Sequence, residues 1–243
     1  MDAKILDMTN SVQDVRDLLR RHAHPEKAKI LQQFFKTGKG EYGEGDVFLG
    51  LTVPQVRAIA LQFKILALSD IKQLLKSTIH EERLIALFIL VHQFQKGNEF
   101  AKQAVYEFYL HHTKRINNWD LVDLSAPKIV GSYLLHTPKE ILYTLAKSKS
   151  VWERRIAIIA TITFIQDNSY DDTLHIAKLL LNDPHDLIHK AVGWMLREIG
   201  KRSLKTEETF LHQYYKYMPR TMLRYAIERF PEHKRQAYLR GSI

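Results

Sequence analysis

The chain contains no cysteine. That excludes disulfides, thiol nucleophiles, cysteine-held iron–sulfur clusters and cysteine zinc sites. No apolar run approaches the roughly 18–20 residues that a membrane helix needs. The start, MDAKILDMTNSVQDVRD, lacks the apolar block of a secretory leader. A cytoplasmic protein is therefore expected, cytosolic or associated with the nucleoid. No segment alternates apolar and polar residues for long, so no sheet is expected. Walker A, HExxH and GxSxG motifs are absent, as is the Gly-Pro-Gly hairpin of helix-hairpin-helix glycosylases. No cofactor or metal is expected.

Glycine is scarce, and five of the ten fall in Thr37–Thr52, which reads as an irregular, flexible loop. Gly38, Gly40 and Gly43 stand in G-x-G-x-x-G spacing. No strand precedes them, however, and Glu41, Glu44 and Asp46 would repel a pyrophosphate, so a dinucleotide site is rejected. His185 and His189 are spaced as a metal pair on a helix, but no third ligand is evident.

What is abundant is positive charge: 36 Lys and Arg against 27 Asp and Glu, a net charge of +9. A polyanion partner follows, because each neutralised phosphate releases counterions. Thirteen segments carry apolar residues at helical spacing: Ser11–Ala23, Pro25–Lys36, Val53–Phe63, Ser69–Lys76, His80–Gln95, Glu99–Thr113, Trp119–Leu135, Pro138–Ala146, Val151–Ile165, Asp172–Leu181, Asp186–Ile199, Thr206–Tyr217 and Thr221–Phe230.

Four fragments repeat a basic residue followed by alanine in an apolar helix: ERLIALFIL, RRIAIIATI, HKAVGWMLR and LRYAIERF. Their basic positions, Arg83, Arg155, Lys190 and Arg224, are separated by 72, 35 and 34 residues. A missing member 36 residues after Arg83 falls at Trp119. This period suits stacked helix–turn–helix units. The fold expected is all-α, a single HEAT-like helical-repeat solenoid over residues 1–243 with a concave basic DNA-binding face. The alternative is that these basic stems pack between repeats and send their heads into water.

One stretch departs from the basic and apolar pattern, INNWDLVDLSA at Ile116–Ala126. Trp119 and Asp123 stand at i and i+4, on one helix face. A carboxylate beside an indole in a basic chain suits stabilisation of a developing cation next to a polyanion. A solvated or helix-capping Asp is the plainer reading.

NNWDLVD (Asn117–Asp123), VWERRIAII (Val151–Ile159), KAVGWMLRE (Lys190–Glu198) and FLGLTVPQVR (Phe48–Arg57) together resemble the AlkD-type DNA glycosylases, a HEAT-like repeat family, from about Pro25 to Tyr225. The resemblance implies excision of cationic purines alkylated at N3 or N7 from duplex DNA by hydrolysis of the N-glycosidic bond. It implies capture of the lesion without deep base flipping. Carried over, it makes Asp123 the catalytic carboxylate, Trp119 the catalytic aromatic, Trp194 a second active-site tryptophan and Arg155 a basic active-site residue that, with its register-mates, is expected to hold phosphates. Arg57, Arg83, Arg154, Lys190, Arg197 and Arg224 are then DNA-binding. Two positions depart: Asn118 stands where relatives carry a further Trp, and Phe34 where a Tyr would supply a hydroxyl. Trp152 reads as packing.

The chemistry suits these residue types. An N3- or N7-alkylated purine is already a cationic leaving group, and the sugar becomes an oxocarbenium ion that a fixed carboxylate stabilises while orienting water. Tryptophan faces attract cations. The expected partner is double-stranded DNA carrying alkylated purines, bound by a monomer without membrane association. The alternatives are a non-catalytic repeat protein that binds DNA structure and a protein-binding scaffold.

Overall fold

The computed structural model describes residues 10–243, so the reading of the chain's start falls largely outside the described residues. Among the described residues the secondary structure is helical, with one isolated parallel bridge between Val47 and Ile79. None of the described helices is long and apolar enough to cross a membrane.

The chain divides into two compact units, the first ending at Leu121 and the second spanning Val122–Ile243. The first holds α1 (Val12–Arg21), α2 (Pro25–Phe34), α3 (Val53–Ala60), α4 (Leu68–Leu75), α5 (His80–Lys96), α6 (Glu99–His111) and the start of α7 (Trp119–Ala126). Ser11 caps α1 through a capping box with Asp14, and Pro25 opens α2 where its missing N–H costs nothing. Helix α5 is buried almost all round, and its first turn sinks four polar side chains, His80, Glu81, Glu82 and Arg83. Burial of that kind requires partners, and the Gly-rich segment supplies several of them.

That segment is irregular, as expected, but its second half is tied down. Val47 N–H donates to Thr78 O (3.0 Å) and His80 N–H to Val47 O (2.8 Å). The Glu81 carboxylate accepts the backbone N–H groups of Leu49 (2.9 Å), Gly50 (2.8 Å) and Leu51 (3.2 Å). Gly50 sits at φ +91°, and a Cβ there would lie 2.2 Å from His24 O. Only glycine fits both the turn and the approach.

The second unit continues from α7 with α8 (Ser132–Leu134), α9 (Glu140–Ala146), α10 (Val151–Ala160), α11 (Ile162–Gln166), α12 (Asp171–Leu179), α13 (Asp186–Gly200), α14 (Leu204–Tyr214), α15 (Arg220–Ala226) and α16 (Glu232–Arg240). Its core is built around α10, α13 and α15, and Gly193 brings α13 against α15: a Cβ there would lie 2.4 Å from Met222 O.

Two expected helices are interrupted. Trp119–Leu135 breaks after Ala126 into a π-helical stretch, Pro127–Gly131, before α8. Pro127 has no N–H and its ring collides with the preceding turn; its carbonyl accepts the Thr163 hydroxyl at 2.8 Å. Val151–Ile165 breaks at Thr161, whose buried hydroxyl donates back to Ile158 O at 2.7 Å. One helix, α16, is additional to those expected.

Candidate functional site

Helix α7 carries both residues on which the sequence reading centred. Trp119 belongs to the first unit and Asp123 to the second.

In the second unit, Asp123 is clasped by Arg155 of α10. Arg155 Nε donates to one carboxylate oxygen at 2.8 Å and Nη2 to the other at 2.7 Å; Nη1 donates to Leu187 O at 2.6 Å. The guanidinium side chain is 6% exposed and the carboxylate 13%. A fork-to-fork pair of this kind fixes the orientation of both partners. The structure therefore joins two of the expected site residues directly. It also alters the role expected for Arg155, whose donors are turned inward onto a carboxylate and a carbonyl rather than outward to phosphate.

Arg154, its neighbour, is likewise turned inward. It pairs with Asp183 (Nε at 2.5 Å) and donates to Ser148 O and Lys149 O, closing the turn before α10. Trp194 on α13 is half-buried, and its indole N–H donates to Glu198 at 3.0 Å. Lys190 pairs with Asp186 one turn back at 2.6 Å, and Arg197 pairs with Glu228. Arg224 is exposed on α15. His185 caps α13 by accepting Leu187 N–H at 3.1 Å, while His189 contacts Asp183 O at 2.5 Å. Their spacing serves the helix start. Among the described residues no cluster of three or more His, Asp or Glu is arranged to hold a metal ion.

In the first unit, Trp119 is half-buried and stacks on Phe35 with centroids 5.1 Å apart and planes 9° apart. Phe34 meets its edge at 6.0 Å and is itself 61% exposed. Arg57 is exposed and lies over the Phe88 ring at 4.8 Å. Arg83 differs from expectation. It is 3% exposed, with Nη2 2.7 Å from Asp46 and Nη1 donating to Ser77 O at 3.0 Å. Arg83 and Arg155, two of the residues expected to form a basic register, both spend their heads on a buried or half-buried aspartate. Neither the DNA-facing reading nor the solvated alternative describes them.

Sequence reasoning missed a buried polar cluster in this unit. His80 places Nδ1 3.2 Å from Asp46 and Nε2 2.8 Å from Asp120. Asn118 Nδ2 donates to Asp46 at 3.1 Å. Burial opposes charge on the His80 ring, but Asp120, then Asp46, outweigh it and raise its pKa. For Asp46 burial pushes the other way, yet His80, Arg83 and Asn118 hold its carboxyl below the ordinary value. The one available signal was a run of polar residues, HEER, directly before the unbroken apolar run LIALFILV of the same helix.

The profile of the DNA alkylation repair enzyme family matches residues 15–230. The chain belongs to that family, whose role is in DNA repair. The fold is shared with a predicted DNA alkylation repair enzyme from Enterococcus faecalis (19% identity, TM-score 0.67, covering 86% of this chain and 97% of that one). It is also shared with AlkD2 from Streptococcus mutans (16% identity, TM-score 0.51, covering 91% and 100%) and with smu.31 from Streptococcus mutans UA159 (16%, 0.51, 91% and 99%). None of the curated proteins compared with the chain matches it.

Proposed function

We propose that the protein is a monofunctional alkylpurine DNA glycosylase. It hydrolyses the N-glycosidic bond of N3-alkyladenine and N7-alkylguanine in duplex DNA. The observation that carries this reading is the Asp123–Arg155 pair. A carboxylate on the helix with the W-D-x-V-D string is held in one orientation by a guanidinium, 2.8 and 2.7 Å away.

The chemistry asks little else of the protein. The alkylated base leaves without a general acid, since it already carries positive charge. Asp123 stabilises the oxocarbenium ion and orients the attacking water. A carboxylate accepts about four hydrogen bonds, so a bidentate arginine does not exhaust it. Trp119 and Trp194 offer ring faces to the cationic lesion and sugar. Arg155 acts on Asp123 rather than on phosphate. Arg57, Arg224, Lys190 and Arg197 supply phosphate contacts, which position the duplex without reading its sequence. The protein works as a cytoplasmic monomer without a cofactor or metal.

A second reading has one observation in its favour. Arg155 also bonds Leu187 O, as a purely structural cross-link between helices would. The protein would then bind DNA structure without cutting. Release of free 7-methylguanine and 3-methyladenine from methylated duplex DNA, wild type beside Asp123→Asn, separates the two. Release by the wild type alone supports the glycosylase. DNA binding with no release by either supports the binder.

A further inference from the structure

The cluster around His80 encloses the backbone of Trp119. The residues on either side of the tryptophan are both bonded into it. Asn118 donates through Nδ2 to Asp46 and accepts Trp119 N–H on Oδ1 at 2.8 Å. Asp120 receives His80 on Oδ2 and accepts Leu121 N–H on Oδ1 at 2.8 Å. The first turn of α7 is therefore held at two points, one before and one after Trp119.

The ring is held through the same histidine. His80 stacks on Phe48 with centroids 4.5 Å apart and packs against Phe35 at 5.1 Å. Phe35 and Phe48 stack on each other at 4.9 Å, and Phe35 carries the indole. A cavity of about 180 Å3 adjoins these rings and is lined in part by Phe35, Phe48, His80 and Asp120. Once the histidine no longer fixes them, the rings have room to move.

Such a cluster is poorly explained by stability. Two aspartates, a histidine and an arginine are almost wholly buried here, and the desolvation of buried charges roughly offsets their attraction. Its contacts converge on one residue, Trp119, through the backbone and through Phe35.

We propose that His80, bridging Asp46 and Asp120, is a positioning residue that sets the ring orientation of Trp119. This deepens the glycosylase reading, because the ring it fixes is the aromatic assigned there to the lesion. It acts with Asn118 and the Asp46–Arg83 pair; Glu81 and Glu82, next to it on α5, bond elsewhere, to the 49–51 backbone and to Arg16.

The test is fluorine NMR of the full chain labelled with 5-fluorotryptophan, its three resonances assigned by single Trp→Phe changes. In His80→Gln, the Trp119 resonance is expected to shift or broaden while those of Trp152 and Trp194 stay in place. An unmoved Trp119 resonance in a folded variant, or an equal displacement of all three, would overturn the proposal. If His80→Gln does not fold, Asp120→Asn decides by the same criteria, since it weakens the histidine's hold on the turn and leaves the Asn118–Trp119 bond intact. Neither measurement involves DNA, so a chain without glycosylase activity still gives an answer.

Discussion

Arg155 grips both carboxylate oxygens of Asp123 with one edge of its guanidinium, from 32 residues away along the chain. The pair makes two substitutions of one residue behave differently. Asp123→Asn keeps the shape and an acceptor for Arg155. It is expected to fold, to bind DNA, and to lose about 10²–10³-fold in excision rate, by analogy with loss of a single fixed transition-state contact. Asp123→Ala leaves the buried guanidinium unpaired and is expected to cost about 3–5 kcal/mol in addition. Single-turnover base release beside urea unfolding measures both. Equal folding stability of the two variants would show that Arg155 does not depend on a hydrogen-bond acceptor at position 123.

Duplex binding should be strongly salt-dependent, as a chain with net charge +9 implies. Arg57→Ala and Arg224→Ala, both exposed, are each expected to lower the slope of log K against log salt by about one. Arg83→Ala should instead unfold the protein at lower denaturant. Fluorescence anisotropy from 50 to 200 mM salt tests this; an unchanged slope removes that arginine from the phosphate contacts.

His80 gives stability a pH dependence of definite sign. Its folded pKa is raised despite burial, by Asp120 first and then Asp46. The folded state therefore holds its proton more tightly than the unfolded chain. The contribution is complete below the ordinary histidine value near 6.5 and is lost as pH climbs through the raised one. The melting temperature of wild type minus that of His80→Gln should shrink as pH rises above neutrality. A constant difference would mean that the ring is neutral throughout.

Glu207 works in the same direction for the opposite reason. Burial, and then the neighbouring Glu208, push its carboxyl up to about 8, against the pull of Arg197 and Lys234. Its Oε1 is buried without a hydrogen-bond partner. The native state keeps this proton at neutral pH, so stability falls as pH rises from about 4.5 through 8. Glu207→Gln is expected to be neutral near pH 4 and more stable than wild type at pH 9. Thermal melts at the two pH values decide it.

Gly50→Ala should lose about 1–3 kcal/mol from backbone strain alone, with a further loss from the Cβ that meets His24 O. At about 2–4 °C per kcal/mol for a chain of this size, the drop is easily measured. An unaffected melting temperature would show that the 49–51 turn is not fixed by Glu81.

Much of the fold was legible because it rests on local periodicity. Helices α2, α5, α10 and α13 begin at residues that the pattern marked. Helix α16 escaped notice because EHKRQAYLR buries only Tyr238, too little to leave a stripe. In the site, W-D-x-V-D drew attention to Asp123 without long-range information. The partners of the register arginines were not legible, since Asp46 and Asp123 reach them only through tertiary packing. Asp46 read as an acidic loop residue, and Asn118 as a mere departure from a pattern. Its carboxamide, bonded to a residue 72 positions away, takes its meaning from contacts that no spacing encodes.

Gly193 gives the string KAVGWMLRE a second source of constraint. With Met222 O so near the position of a Cβ, any larger residue would force α13 off α15, whatever reaction the protein performed. A chain that lost its chemistry would still be obliged to spell that glycine. Agreement at Gly193 between two sequences is thus a record of shared architecture, while the fate of Asp123 records whether the chemistry was kept.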